Sequence, residues 1–249
     1  MGFDSPDRRL FLGGLACVAL AGKADAADSR ILKLLAESKA HGALPGRIEF
    51  ISRALIGSPY RAETLIGGAK KPEVFVTRDD VFDCVTYCEV VMAAAMAGDA
   101  AAFEPLLRKI RYRNGVVGWR ERNHDFADWC AQNTANGVGK PVLPEGVVEI
   151  RKTMTQPAAL GRREYALKAI PRAVLMKTQL TNGDVIGFVS SHASLDYFHC
   201  GFAMMGEGGA LRLRHASQSR RRVLEEPIEK FLDASRVKWV TVLRPQERA

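Results

Sequence analysis

Several things are scarce in this chain, and each scarcity removes a class of protein. No apolar run is long enough to cross a bilayer: the run over residues 10–21 is 12 residues, against the ~20 that a helical span needs. There are five cysteines in 249 residues, too few for a disulfide scaffold. The Cys84-x3-Cys88 pair has no second pair to complete a zinc site. Aromatic residues are 8% of the chain and are not interleaved with its dispersed basic residues, which argues against a nucleic-acid partner. Internal repeats and low-complexity segments are absent, which argues against a solenoid.

What is present describes one exported domain. A length of 249 residues, 47% hydrophobic and 26% charged, suits a single soluble globular domain with a sizeable core. Residues 1–26 stand apart: Arg8-Arg9, then Leu10-Phe11-Leu12 and the short apolar run, then Ala24-Asp25-Ala26. A charged start, a short apolar segment and a small-x-small end make an export signal, here of the twin-arginine kind, which implies a periplasmic destination. Cys17 has Gly14 rather than Leu three positions before it, which argues against a lipoprotein. Within that segment Arg8, Arg9 and Lys23 balance Asp4, Asp7 and Asp25, so the remainder, residues 27–249, keeps the full +8. A basic exported protein is drawn to anionic partners such as wall polymers. The run Arg220-Arg221-Arg222 belongs to that charge, or is a solvated turn.

Helices come first. Residues 29–43, 47–55 and 101–112 carry apolar residues at helical spacing, and residues 74–76 read as a short strand. Residues 114–170 are less regular and read as an inserted subdomain or a set of loops facing a substrate. After Pro171 the period changes: residues 184–189, 198–205, 210–214 and 239–243 read as strands, with a hairpin signal at Gly206-Glu207-Gly208-Gly209. Helices followed by an antiparallel meander give an α+β fold.

The chemistry centres on Phe82-Asp83-Cys84-Val85-Thr86. A small apolar run, residues 90–97, follows and reads as a buried helix, so Cys84 falls in its first turn. There the helix dipole should lower the thiol pKa and make a nucleophile; the plain alternative is a buried structural cysteine. Of the five histidines, His41 and His192 read as surface residues. His199 lies within a strand, with Cys200 on the opposite face and Gly201 permitting close approach of another element. His215 ends the next strand, 16 residues on, where the two rings can be neighbours across a hairpin. A nucleophile (Cys84), a base (His199) and an orienter (His215) follow from that placement. Backbone N–H groups at the helix start would hold the oxyanion, and no metal or organic cofactor is required.

The ordered blocks Asp83-Cys84-Val85-Thr86, Asn182-Gly183-Asp184-Val185-Ile186-Gly187-Phe188, His199-Cys200-Gly201 and His215-Ala216-Ser217 resemble the NlpC-type, papain-like cell-wall hydrolase superfamily. Gly57-Ser58-Pro59-Tyr60 resembles its Gly-x-Pro-Tyr segment. The blocks Asp83 to Glu89, Ile110-Arg111-Tyr112-Arg113-Asn114-Gly115 and Arg122-Asn123-His124-Asp125-Phe126-Ala127-Asp128-Trp129 are similar, more narrowly, to the bacterial N-acetylmuramoyl-L-alanine amidase-like family. Tyr87 and Cys88 stand where relatives usually have Phe and Val. The resemblance implies a papain-like fold with an antiparallel half-barrel and a cysteine hydrolase cutting an amide bond in peptidoglycan. It implies Cys84, His199 and His215 as the catalytic set. Tyr60 falls near the oxyanion, Asp83 against the substrate peptide, and Glu89, Arg111, Tyr112 and His124 in the cleft. For Glu89 and Arg111 the alternative is a buried pair that ties two helices together. The bond that the narrower resemblance leads us to expect is that of an N-acetylmuramoyl-L-alanine amidase. The alternatives are a γ-D-glutamyl stem-peptide endopeptidase with the same catalytic set, and an inactive wall-binding module. Acyl-transferase relatives carry the histidine before the cysteine, whereas Cys84 comes first here.

Overall fold

The computed structural model describes residues 29–247; the export signal expected over residues 1–26 lies outside the described residues. Two short helices lead, α1 (Arg30–Ser38) and α2 (Leu44–Ala54), followed by a two-stranded ribbon, β1 (Ile66–Gly68) and β2 (Lys71–Val74). Then come α3 (Cys84–Met96), α4 (Ala100–Arg111) and α5 (Phe126–Ala135), and the strands β3 (Gly139–Pro141), β4 (Val148–Met154) and β5 (Arg163–Pro171). The chain closes with α6 (Arg172–Leu175), β6 (Val185–Val189), β7 (Tyr197–Met205), β8 (Leu211–Ser217), β9 (Arg222–Pro227), α7 (Ile228–Ala234) and β10 (Trp239–Pro245). All sheet pairings are antiparallel, in the order β4-β5-β10-β6-β7-β8-β9 with β3 on β10. This is a mixed helical and antiparallel fold, as the change of period after Pro171 predicts.

The sheet is covered on both faces, and the strands show it. In β6, Val185 and Val189 pack with α1–α4, while Ile186 and Phe188 pack with Leu175 of α6 and Ile228 and Leu232 of α7. Such a strand must be apolar throughout. Helix α3 lies at the centre of the first core: residues 86–96 are all buried, and the small Ala93, Ala94 and Ala95 let neighbouring helices approach closely. Among the described residues no helix is long and apolar enough to cross a membrane.

Local chemistry redraws three expectations. The helix expected over 29–43 ends at Ser38, turns over at Gly42 (φ 68°), and a new helix starts with Pro45 in its first turn. Proline is favoured there because its missing N–H has no helical partner anyway. The strand expected at 74–76 sits earlier, at 71–74. The stretch expected to be irregular, 114–170, holds α5 and the seven-pair β4–β5 hairpin.

Candidate active site

Cys84 opens α3 because Asp83 stops the chain in extended geometry and caps the helix. The Val85 and Thr86 N–H groups donate to Asp83 Oδ1 at 3.0 and 2.8 Å, and Asp83 N–H donates back to Thr86 Oγ1 at 3.0 Å. That reciprocal arrangement is a capping box with the acid at the N-cap. Thr64 Oγ1 donates to the other carboxylate oxygen at 3.0 Å. Asp83 is therefore engaged on both oxygens in holding the helix that Cys84 opens.

The opposite wall is built from three strands. β7 bulges where Phe188 of β6 pairs with His199 and Val189 with Tyr197, leaving Phe198 extra. A bulge turns two consecutive side chains toward one side: Phe198 and His199 both pack on Phe188 and Phe231. The β7–β8 ladder runs only over 202–205 and 211–214. Just beyond it, a Cβ on Gly201 would lie 2.7 Å from the His215 Cβ, so only glycine lets His215 come this close. His199 Nε2 then lies 2.6 Å from His215 Nδ1. The Cys84 thiol lies within hydrogen-bonding reach of the His199 ring. The three residues named by spacing in the sequence are brought together, with His215 inside β8 rather than at its end.

Two electrostatic features mark the site, and the first reverses an expectation. The Cys84 thiol pKa is raised well above its ordinary value, first by the hydrogen bond with Cys200 and next by burial, with His199 pulling it down. The helix-start effect expected to lower it is outweighed by these, and Asp83 already takes up the Val85 and Thr86 N–H groups of that helix start, leaving the Cys84 N–H. Cys200 packs with the α3 core, on the face opposite His199, and still reaches the thiol at the tip of α3. The second feature is His215, which is buried and pushed down to about 4 by that burial. All four cysteines among the described residues, Cys84, Cys88, Cys130 and Cys200, are free thiols.

Tyr60 comes to the site through a backbone bridge with Phe82 and a hydrogen bond from its N–H to Arg221 O at 2.9 Å. Burial and then the neighbouring Cys84 push its hydroxyl up to about 12, so it remains a neutral donor. His124 lines a cavity of about 510 Å³ that begins at Val85 and continues past Asp125, Met154 and Ser194. Its Nε2 lies 2.6 Å from Trp119 O, and burial lowers its pKa.

The other cleft candidates sit deeper than the resemblance implies. Glu89 and Arg111 are about 2% exposed and pair at 2.7 Å; Trp129 Nε1 donates to the same carboxylate at 3.2 Å. Arg111 also donates to Val76 O at 2.6 Å. This is the pair that ties α3 to α4, with α5 and the segment before α3 attached. It does not line the cavity. Tyr112 is fully buried, its hydroxyl donating to Glu73 Oε1 at 2.8 Å, where Arg122 also binds. Sequence reasoning missed two residues of the histidine wall. Glu226 of β9 lies 3.1 Å from His215 Nε2, and Phe231 of α7 covers both rings at 5.3 Å between centroids. The signal for β9 was a short Val-Leu pair between the basic turn and Pro227.

Known proteins share this fold. A crystal structure of an N-acetylmuramoyl-L-alanine amidase from Bacteroides uniformis is similar at 26% identity and a TM-score of 0.68, covering 79% of this chain and 96% of that one. A Legionella pneumophila protein superimposes with a TM-score of 0.76 at 22% identity, covering 88% of this chain and 95% of that one, which shows the shared fold. No curated protein matches the chain. The model of the N-acetylmuramoyl-L-alanine amidase-like family matches residues 50–238, across the cysteine, both histidines and the strands that carry them. The chain belongs to the N-acetylmuramoyl-L-alanine amidase-like family.

Proposed function

We propose that this protein is an exported, papain-like cysteine hydrolase of the NlpC-type superfamily that cleaves an amide bond in peptidoglycan, the bond between N-acetylmuramic acid and L-alanine. The observation that carries the reading is the ordered set Cys84, His199 and His215, with His199 Nε2 2.6 Å from His215 Nδ1 and the His199 ring within reach of the thiol. The family and the similarity to the Bacteroides uniformis amidase support the substrate class.

The chemistry follows from the atoms in place. His199 takes the thiol proton as Cys84 Sγ adds to the amide carbonyl, because the thiol is neutral at rest. The Cys84 N–H and the Tyr60 hydroxyl receive the oxyanion, and preorganised donors of this kind each contribute about 10²-fold or more to rate. The protonated His199 then gives its proton to the leaving amine, and water hydrolyses the acyl-enzyme. The +8 charge favours an anionic polymer, such as the carboxylate-bearing wall, as a partner.

Digestion of purified sacculi with product analysis by mass tests this. Glycan strands freed of intact stem peptides are the expected product. Shortened stems would instead assign a γ-D-glutamyl endopeptidase, and an inactive wild type that still binds sacculi would assign a wall-binding module. Cys84→Ala is expected to abolish release, and undiminished release by that variant would remove Cys84 from the mechanism.

A further inference from the structure

We propose that Glu226 is a positioning residue of this site: through His215 it fixes which nitrogen of His199 carries the proton, and so keeps His199 a base toward Cys84. The proposal rests on the reading of Cys84 as the nucleophile and adds a residue that lies 142 positions away from it.

The register accounts for how such a line of side chains forms. His215 pairs with Leu224, and Leu213 with Glu226, so Glu226 is the diagonal neighbour of His215 on one face of the β8–β9 ladder. His199 is the diagonal neighbour on the other side, two residues from Gly201, whose missing Cβ makes room for His215. Diagonal neighbours on one face stand ~7–8 Å apart at Cα and are reached by long or aromatic side chains. The three residues therefore form one line across β7, β8 and β9.

Proton positions along that line are set from the carboxylate end. An ionised carboxylate only accepts, so His215 must hold its proton on Nε2 to donate to Glu226 Oε1 at 3.1 Å. His215 Nδ1 then has a lone pair and must accept, so the 2.6 Å contact is donated by His199 Nε2–H. That leaves His199 Nδ1 unprotonated, the ring nitrogen free to take the proton of the neighbouring Cys84 thiol. The opposite tautomer of His215 would put a proton on His199 Nδ1 and leave Cys84 without a base. The groups facing the line are few: His199 from β7, Glu226 from β9 and the apolar Phe231 from α7. Arg214 and Glu225 point to the other face, toward Glu49 and Ser52 of α2. Burial keeps His215 neutral above about pH 4, as an acceptor must be.

Nitrogen-15 NMR of the histidine rings in the wild-type protein tests the assignment without substrate, so it stands or falls apart from the bond specificity. Nε2–H forms of both His215 and His199 are expected at neutral pH, and a His215 ring protonated on Nδ1 alone would overturn the proposal. A second measurement is the alkylation rate of Cys84 with iodoacetamide, followed by peptide mass. Glu226→Gln keeps the shape but admits both tautomers, and is expected to slow alkylation and kcat about 10-fold with KM unchanged, as for other partners that orient a catalytic imidazole. In a His215→Asn background, where Asn accepts from His199 directly, the same change should cost nothing more. An equal loss in both backgrounds, or no loss in either, would show that Glu226 does not act through His215.

Discussion

Cys84 shows how neighbours overrule position. Its place at a helix start is the feature that singles it out in the sequence, yet the thiol is held neutral by Cys200 and by burial. Cys200→Ala removes the largest of these influences, so the midpoint of Cys84 alkylation against pH is expected to fall. An unchanged midpoint would mean that burial alone sets it. The candidate catalytic residues were legible because each has a local signature: a cysteine in the first turn of a small apolar helix, and two histidines in strands separated by a glycine-rich turn. Glu226 was not legible, because its meaning depends on a diagonal across two strand pairings that no local pattern encodes. The thiol's raised pKa was hidden for the same reason, since Cys200 is 116 residues away in sequence.

At the scale of elements, the buried Glu89–Arg111 pair is what binds α3 to α4. Both partners are about 2% exposed, and removing one leaves a buried charge unpaired. Glu89→Ala is expected to cost about 3–5 kcal/mol of stability, read as a shift in the urea midpoint. Replacing both residues with apolar ones of similar volume should return most of that loss. If the single change costs under about 1 kcal/mol, the pair is not the tie. The sequence blocks that hold these residues pointed to a site and equally to a tie between helices, and burial decides for the tie. Strands β4 and β5 escaped the sequence reading for a related reason. The β4 strand carries Glu149, Arg151 and Lys152, and most of its residues are exposed or half-buried, so it lacks the alternation that marks a core strand. Lys152 is buried nonetheless, donating to Ser190 O and His192 O at 2.6 and 2.7 Å. Those bonds pin the hairpin to the loop before β7, on the rim of the cavity that begins at Val85.

For the whole molecule, the line of His199, His215 and Glu226 links the proposed active site to stability against acid. His215 is neutral and buried in the folded state, with its pKa moved from 6.5 to about 4. In the unfolded chain it takes up a proton near 6.5. The unfolded state therefore binds more protons between those two values, and folding stability must decrease as pH falls from 6.5 toward 4. A shift of that size corresponds to about 3 kcal/mol, an upper bound because the Glu226 carboxylate at 3.1 Å favours the cation. Urea unfolding at a series of pH values reads this directly. His215→Asn abolishes the titrating group while keeping an acceptor for His199, so its stability should change less over that window than the wild type's. The other acid-sensitive groups, Glu89 among them, cancel in the difference between the two proteins. Parallel curves would show that the ring takes up its proton in the folded state as readily as in the unfolded chain, and the neutral acceptor for His199 would then be lost as pH falls through 6.5.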